Sequence, residues 1–244
     1  MSVLRAPMLW LTGAALTAGI AVSPPLDRLA DASFAWHMAQ HVMLLYVVSL
    51  FVLLSRPLDL VAAIAPKSTT AAFVNAMRPL HVFAWPPLTL AAYIAVLWGT
   101  HFSGLYQLSL EHFWVHVCEH ALYVAAGIAF WLPVLGTPPV RPIAYPARLL
   151  YLFVALPQGA LLGMAIDGAR TPLYAHYAAL ATNARALTDQ HDAAATMWIA
   201  GGLIVFCAML ATLGAWAARE NRPAHSDSTY AARSRTSRSV RTLG

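Results

Sequence analysis

The chain has 244 residues, of which 59% are hydrophobic and only 10% are charged. A water-soluble domain carries about a quarter of its residues as charged side chains, so this composition excludes an ordinary soluble protein. The apolar runs are continuous and do not alternate with polar residues, which excludes a membrane β-barrel. We therefore predict an all-α fold: a polytopic helical bundle in a membrane.

Six apolar stretches approach the roughly 20 residues that a helix needs to cross the hydrocarbon layer. In chain order they are Ala6–Val22, Trp36–Leu54, His81–Trp98, His112–Leu132, Leu149–Met164 and Ala194–Ala217. The first stretch also resembles a signal peptide, but Pro24 directly after the candidate cleavage site argues against cleavage. We divide the chain into a transmembrane bundle over residues 1–218 and a basic, Ser/Arg-rich cytoplasmic tail over residues 219–244, which we expect to be disordered.

Basic residues predict the orientation, because Lys and Arg concentrate on the cytoplasmic side of a membrane protein. With six spans and both termini inside, only Arg28, Arg170 and Arg185 lie outside, and every other Lys and Arg lies inside. The same rule explains the basic tail, so the lipid membrane is its expected partner and nucleic acid is not.

The histidines have the opposite distribution, since this topology places eight of the ten on the outer side. Two motifs share the form H-x-x-[Q/E]-H: H-M-A-Q-H at 37–41, which opens the second span, and H-V-C-E-H at 116–120 in the fourth. Histidines four positions apart lie on one face of a helix, about 6 Å apart along its axis. Two such pairs on neighbouring helices predict a metal site near the outer face.

The residue types favour copper at this site. Imidazole binds zinc, copper, iron or nickel, and a thioether adds a preference for Cu(I), which Met38 and Met197 can supply. Glu119 can bind the ion or hold a histidine in one tautomer, and His112 extends the second histidine stripe. Copper is the first choice of ion and zinc the second.

Two other readings are weaker. A haem needs one histidine from each of two helices, which His41 and His120 can supply, but it needs no pairs four residues apart. The sequence contains no P-loop, no G-x-S-x-G and no H-E-x-x-H motif, so we predict no enzymatic activity.

The motifs at 37–41 and 116–120, with F-W-x-P at 130–133, D-Q at 189–190 and M-W at 197–198, resemble the signature of the CtaG-type cytochrome c oxidase assembly factors. The resemblance covers about Ser33–Trp216. It implies a bacterial plasma-membrane protein that helps to mature a haem-copper oxidase by handling copper. The implied partners are oxidase subunits and a periplasmic copper chaperone. The family pattern implies a site formed by His37, Met38, His41, His116, Glu119, His120, Asp189 and Met197, with His112, His101, His176 and His191 as secondary members.

A CopD-like copper transport protein is the main alternative, because that group also carries histidines on the outer face. A transporter needs further polar residues deeper in its spans, and below His120 this sequence offers little besides Gln158. This scarcity favours binding over transport. A haem-binding electron-transfer subunit is the third hypothesis.

Overall fold

The computed structural model describes residues 4–77, 84–138 and 140–221, which form α-helices and one π-helical segment but no strand. The elements are α1 Arg5–Ala21, α2 Pro24–Ala32, α3 Phe34–Val42, the π segment Met43–Val48, α4 Ser49–Leu54, α5 Pro57–Ile64, α6 Lys67–Met77, α7 Pro86–Phe102, α8 Leu105–Glu111, α9 Phe113–Leu135, α10 Tyr145–Asp167, α11 Ala175–Leu180 and α12 Asn183–Glu220. The predicted all-α class is confirmed.

Four helical stretches in these ranges are long and apolar enough to cross a membrane: Phe34–Leu54, α9, α10 and α12. Two bent pairs also qualify, α1 with α2 at 47° and α7 with α8 at 64°. When each pair counts as one span, the total is the predicted six. The membrane bundle is confirmed, while the side on which each terminus lies stays a prediction.

The third and sixth spans have bounds that differ from the predicted ones. The predicted start at His81 lies outside the described residues, and α7 begins at Pro86, since proline suits the first turn of a helix. The sixth helix was expected from Ala194, but it begins at Asn183. The end of the predicted loop between the fifth and sixth spans is therefore helical. At the other end α12 continues to Glu220, and residues 222–244 of the predicted tail lie outside the described part of the chain.

The second span contains a π segment that the sequence did not predict, and α9 lies very close to it. A side chain on Gly127 would collide with the backbone carbonyl of Leu45 and the hydroxyl of Ser49. Trp131 of α9 donates its indole N–H to the carbonyl of Tyr46, at 3.0 Å. A backbone carbonyl of the π segment thus accepts a hydrogen bond from a neighbouring helix.

A layer of buried aromatic side chains fills the centre of the bundle. The Tyr93 and Phe130 rings stack at 4.7 Å, and the Phe130 and Trp131 rings meet edge to face at 4.8 Å. Tyr46 and Tyr93 share a hydrogen bond of 2.6 Å between their hydroxyls. This layer separates the histidine-bearing end of the bundle from the opposite end.

Candidate metal centre

Helices α3 and α9 bring the two predicted histidine pairs face to face. The ring centroids of His37 and His116 are 5.1 Å apart, and those of His41 and His120 are 5.5 Å apart. The spacing of four residues within each motif puts both histidines of a pair on the same helix face. The four rings therefore form one contiguous cluster, which we call the histidine cluster.

Two overlapping sets of ligand atoms lie within 4.8 Å of one another, the only such sets of three or more His, Cys, Asp or Glu side chains in the described ranges. One comprises His37, His116 and His120, and the other comprises His37, His41 and Glu119. Each set could hold a metal ion if its side chains rotate until the ligand atoms reach the roughly 2 Å that separates a ligand atom from an ion. His37 belongs to both sets.

Hydrogen bonds fix the tautomer of His37. Its Nδ1 lies 3.1 Å from the hydroxyl of Tyr177, which itself donates to the carbonyl of Ala30 at 2.9 Å. Burial raises the pKa of the Tyr177 hydroxyl well above its usual value, so this hydroxyl keeps its proton. It must then accept a hydrogen bond from Nδ1–H of His37, which leaves a lone pair on Nε2. That nitrogen lies 3.1 Å from Nε2 of His41.

Several polar atoms of the cluster are buried without a hydrogen-bond partner among the described residues. They are Nδ1 of His41, Nε2 of His116, Nε2 of His120 and both carboxylate oxygens of Glu119. The carboxylate oxygen Oε2 of Glu119 lies 3.9 Å from Nε2 of His41. Buried polar groups in folded proteins almost always have hydrogen-bond partners. This concentration of nitrogen and oxygen atoms without such partners therefore indicates a binding site.

The histidines of the cluster differ in their exposure to solvent. His116 is half-buried, whereas His37 and His41 are almost fully enclosed. The ring of His41 stacks on Tyr123 at 4.0 Å, which closes the inner side of the cluster. His116 is therefore the member of the cluster that is most accessible from outside.

The structure places Asp189 at the beginning of α3 rather than in either set of ligand atoms. Its carboxylate accepts hydrogen bonds from the backbone N–H of Phe34 at 2.5 Å and from the hydroxyl of Ser33 at 2.6 Å. A carboxylate at this position satisfies free N–H groups in the first turn of a helix. Asp189 therefore ties α12 to the helix that carries His37.

The other predicted ligands have varied surroundings. His112 is exposed at the start of α9 and does not belong to either set. Met197 is buried in the apolar core, about 12 Å along α12 from Asp189. Met38 is completely buried, and its sulfur lies 3.2 Å from Nε2 of His101.

Sequence reasoning missed the tyrosines around the cluster and left His101 outside the third span, which was predicted to end at Trp98 but continues to Phe102. Tyr177 is 140 positions from its partner His37, and Tyr106 packs against the rings of both His37 and His101. No local pattern relates these residues. The H-Y dipeptide at 176–177 in an outer loop was the only available hint.

Fold and cluster together define a polytopic helical membrane protein with a buried histidine site. The chain belongs to the family described as cytochrome c oxidase caa3 assembly factor (Caa3_CtaG), whose sequence profile matches residues 2–219. This confirms the resemblance noted from the histidine motifs.

Similar curated proteins come from mycobacteria. An uncharacterized protein of Mycobacterium bovis and one of Mycobacterium tuberculosis are each 26% identical to this chain, over 91% of its length. One of Mycobacterium leprae is 25% identical over the same share. The alignments cover only 36% of each relative, so the chain spans about a third of their length. No solved structure matches the chain.

Proposed function

We propose that this protein binds copper in the histidine cluster and passes it to a haem-copper cytochrome c oxidase during assembly. The family described as oxidase assembly factors supports the second part. The observation that carries the first part is the set of convergent, buried and unpaired donor atoms on His116, His120 and Glu119. We place the protein in the bacterial plasma membrane with the cluster at the outer face, as the positive-inside rule predicts.

The ligand types favour copper over a hard cation. Imidazole nitrogens predominate, and Glu119 is the one carboxylate in either set. Magnesium and calcium prefer shells of oxygen atoms, so this cluster suits them poorly. Copper and zinc both accept imidazole, and the assembly of a haem-copper oxidase requires copper.

The surroundings favour holding the ion over conducting it across the membrane. Below His41 the bundle is closed by Tyr123, and further along by the stacked rings of Tyr93 and Phe130. A permeation path needs polar groups or water at each depth to replace the hydration of the ion. A protein that delivers copper needs only an accessible site at one end.

Metal analysis of the purified chain tests the binding part. We expect native protein to retain copper and the double variant His37→Ala/His120→Ala to lose it. His191→Ala is the matched control, because His191 is exposed on α12 and belongs to neither set. Equal copper in native and double-variant protein would overturn the site.

Genetic complementation tests the delivery part. Deleting the gene should lower haem-copper oxidase activity, the native gene should restore it, and the His37→Ala/His120→Ala gene should not. Normal oxidase activity in the deletion strain would rule out a necessary role in assembly. Copper flux in proteoliposomes would instead favour the CopD-like transport hypothesis, and a Soret band in purified protein would favour a haem-binding electron-transfer subunit.

A further inference from the structure

Next to the histidine cluster, a histidine and a methionine face each other in the protein interior. Nε2 of His101, near the end of α7, lies 3.2 Å from the sulfur of Met38 on α3. Both side chains are buried, Met38 completely. His101 belongs to neither of the two sets of ligand atoms described above, which were defined for His, Cys, Asp and Glu side chains.

The hydrogen bonds of His101 determine which of its nitrogens carries a proton. Nδ1 lies 2.8 Å from the backbone carbonyl of Leu97, and a carbonyl can only accept. Nδ1 therefore carries the hydrogen, and the neutral ring has its lone pair on Nε2. The thioether of Met38 has lone pairs and no proton. Two lone-pair donors thus face each other with no hydrogen between them.

The neighbouring hydroxyls do not change this assignment. Thr100 donates to the carbonyl of Val96 at 2.8 Å, and its oxygen lies 2.7 Å from the hydroxyl of Tyr123. Tyr123 must then be the donor in that second contact. Both hydroxyl protons are used, so neither is available to Nδ1 of His101.

Two tyrosines also hold His101 in place. Tyr106 stacks on it with centroids 5.5 Å apart and ring planes 20° apart, and Tyr174 donates to its backbone carbonyl at 3.0 Å. A ligand held in this way loses little freedom when an ion binds, which strengthens binding.

We propose that Nε2 of His101 and the sulfur of Met38 form a second coordination position, which takes Cu(I) from the histidine cluster. The thioether selects a soft ion, and Cu(I) is the soft ion among the candidates. Both ligands are neutral, so a monovalent ion costs less to bury there than a divalent one. This inference rests on the proposed copper-binding function and adds the oxidation state and the second position.

The geometry connects the two positions. Met38 lies between His37 and His41 in sequence, and the ring centroids of His41 and His101 are 6.3 Å apart. His41 also has one nitrogen that no hydrogen bond holds. Transfer between the positions is ligand exchange: a bond from copper to a cluster nitrogen breaks as bonds to Met38 and His101 form. Neither electrons nor protons move.

X-ray absorption at the copper edge tests the proposal on the full chain in detergent, loaded anaerobically with Cu(I). We expect both nitrogen and sulfur neighbours around copper in the native protein. Met38→Leu should remove the sulfur contribution and leave the nitrogen contribution. His101→Gln should also remove it, and provides a second variant if Met38→Leu does not fold. Met197→Leu is the matched control, because it replaces another buried methionine on a different helix, and its spectrum should equal the native one.

The outcomes separate this inference from the proposed function. A nitrogen-only shell in native protein would overturn the Met38–His101 position and leave the histidine cluster standing. Sulfur that persists in Met38→Leu, or that disappears in Met197→Leu, would also overturn it. A variant His116→Ala/His120→Ala that keeps both contributions unchanged would overturn the transfer from the histidine cluster, while the Met38–His101 position itself would stand. Native protein that takes up no Cu(I) would overturn both.

Discussion

Tyr177 contacts the histidine cluster from α11, where its hydroxyl accepts a hydrogen bond from Nδ1–H of His37. Partners of this kind orient a metal-binding imidazole and fix its tautomer, and losing one typically lowers metal affinity by about 10–100-fold. We therefore expect Tyr177→Phe to weaken copper binding by about that factor. A competition titration with a chromogenic chelator measures it.

Tyr151→Phe is the control for the Tyr177 variant. It also removes a buried tyrosine hydroxyl, but one that is hydrogen-bonded to Thr89 on α7 and makes no contact with the histidine cluster. Its copper affinity should equal that of the native protein. Equal affinities for Tyr177→Phe and native protein would show that Tyr177 does not position His37.

Asp189 acts on the cluster indirectly, because it accepts hydrogen bonds at the start of the helix that carries His37. Removing a helix N-terminal acceptor of this type costs about 0.5–2 kcal/mol. Asp189→Ala should therefore lower the midpoint of thermal unfolding in detergent and weaken copper binding, while Asp192→Ala, one turn away and exposed, should do neither. If Asp189→Ala had native stability but bound no copper, Asp189 would be a ligand after all.

At the scale of elements, the contact between α9 and the second span depends on Gly127. A methyl group there would meet the carbonyl of Leu45 and the hydroxyl of Ser49, so Gly127→Ala must push the helices apart. Overpacking of this kind costs about 1–3 kcal/mol, and thermal unfolding measures it as a lower midpoint. Gly202→Ala on α12 is the control, because a methyl group there meets no atom within 4 Å. Equal midpoints for both variants would contradict the close approach.

The spans could be predicted because their signal is local: a long apolar run must be helical wherever lipid surrounds it. The early start of α12 could not be predicted, since it depends on partners that are distant in the sequence. Gln190 donates to the carbonyl of Ile166 and accepts from the backbone N–H of Leu173, so a polar stretch that resembles a loop is stable as a helix. The π segment likewise has a distant partner, because Trp131 of α9 donates to the carbonyl of Tyr46.

In the histidine cluster, too, local spacing could be predicted and contacts between separate helices could not. Spacing within each motif was enough to place His37 with His41 and His116 with His120, because four residues make about one helical turn. Which other groups surround them depends on how separate helices pack. The contact between Met38 and His101 spans 63 positions, and no pattern in one sequence indicates it.

At the scale of the whole molecule, the positive-inside rule predicts the orientation of the protein in the membrane, and this can be tested at both ends of the bundle. Ser103 lies in the exposed bend between α7 and α8, two residues from His101 and therefore at the histidine end. Ser68 is exposed on α6, which follows the opposite end of the second span. The two positions should lie on opposite sides of the membrane.

Cysteine labelling with a membrane-impermeant reagent distinguishes the two sides. Cys118 and Cys207 are both free and exposed, so each must first be replaced by alanine. In intact cells Ser103→Cys should react at once, whereas Ser68→Cys should react only after permeabilisation. The reverse pattern would put the histidine cluster on the cytoplasmic side, and copper would then have to come from the cytoplasm. Labelling of both positions in intact cells would mean that the bent pair α7 and α8, whose first helix lies between them in the chain, does not cross the membrane.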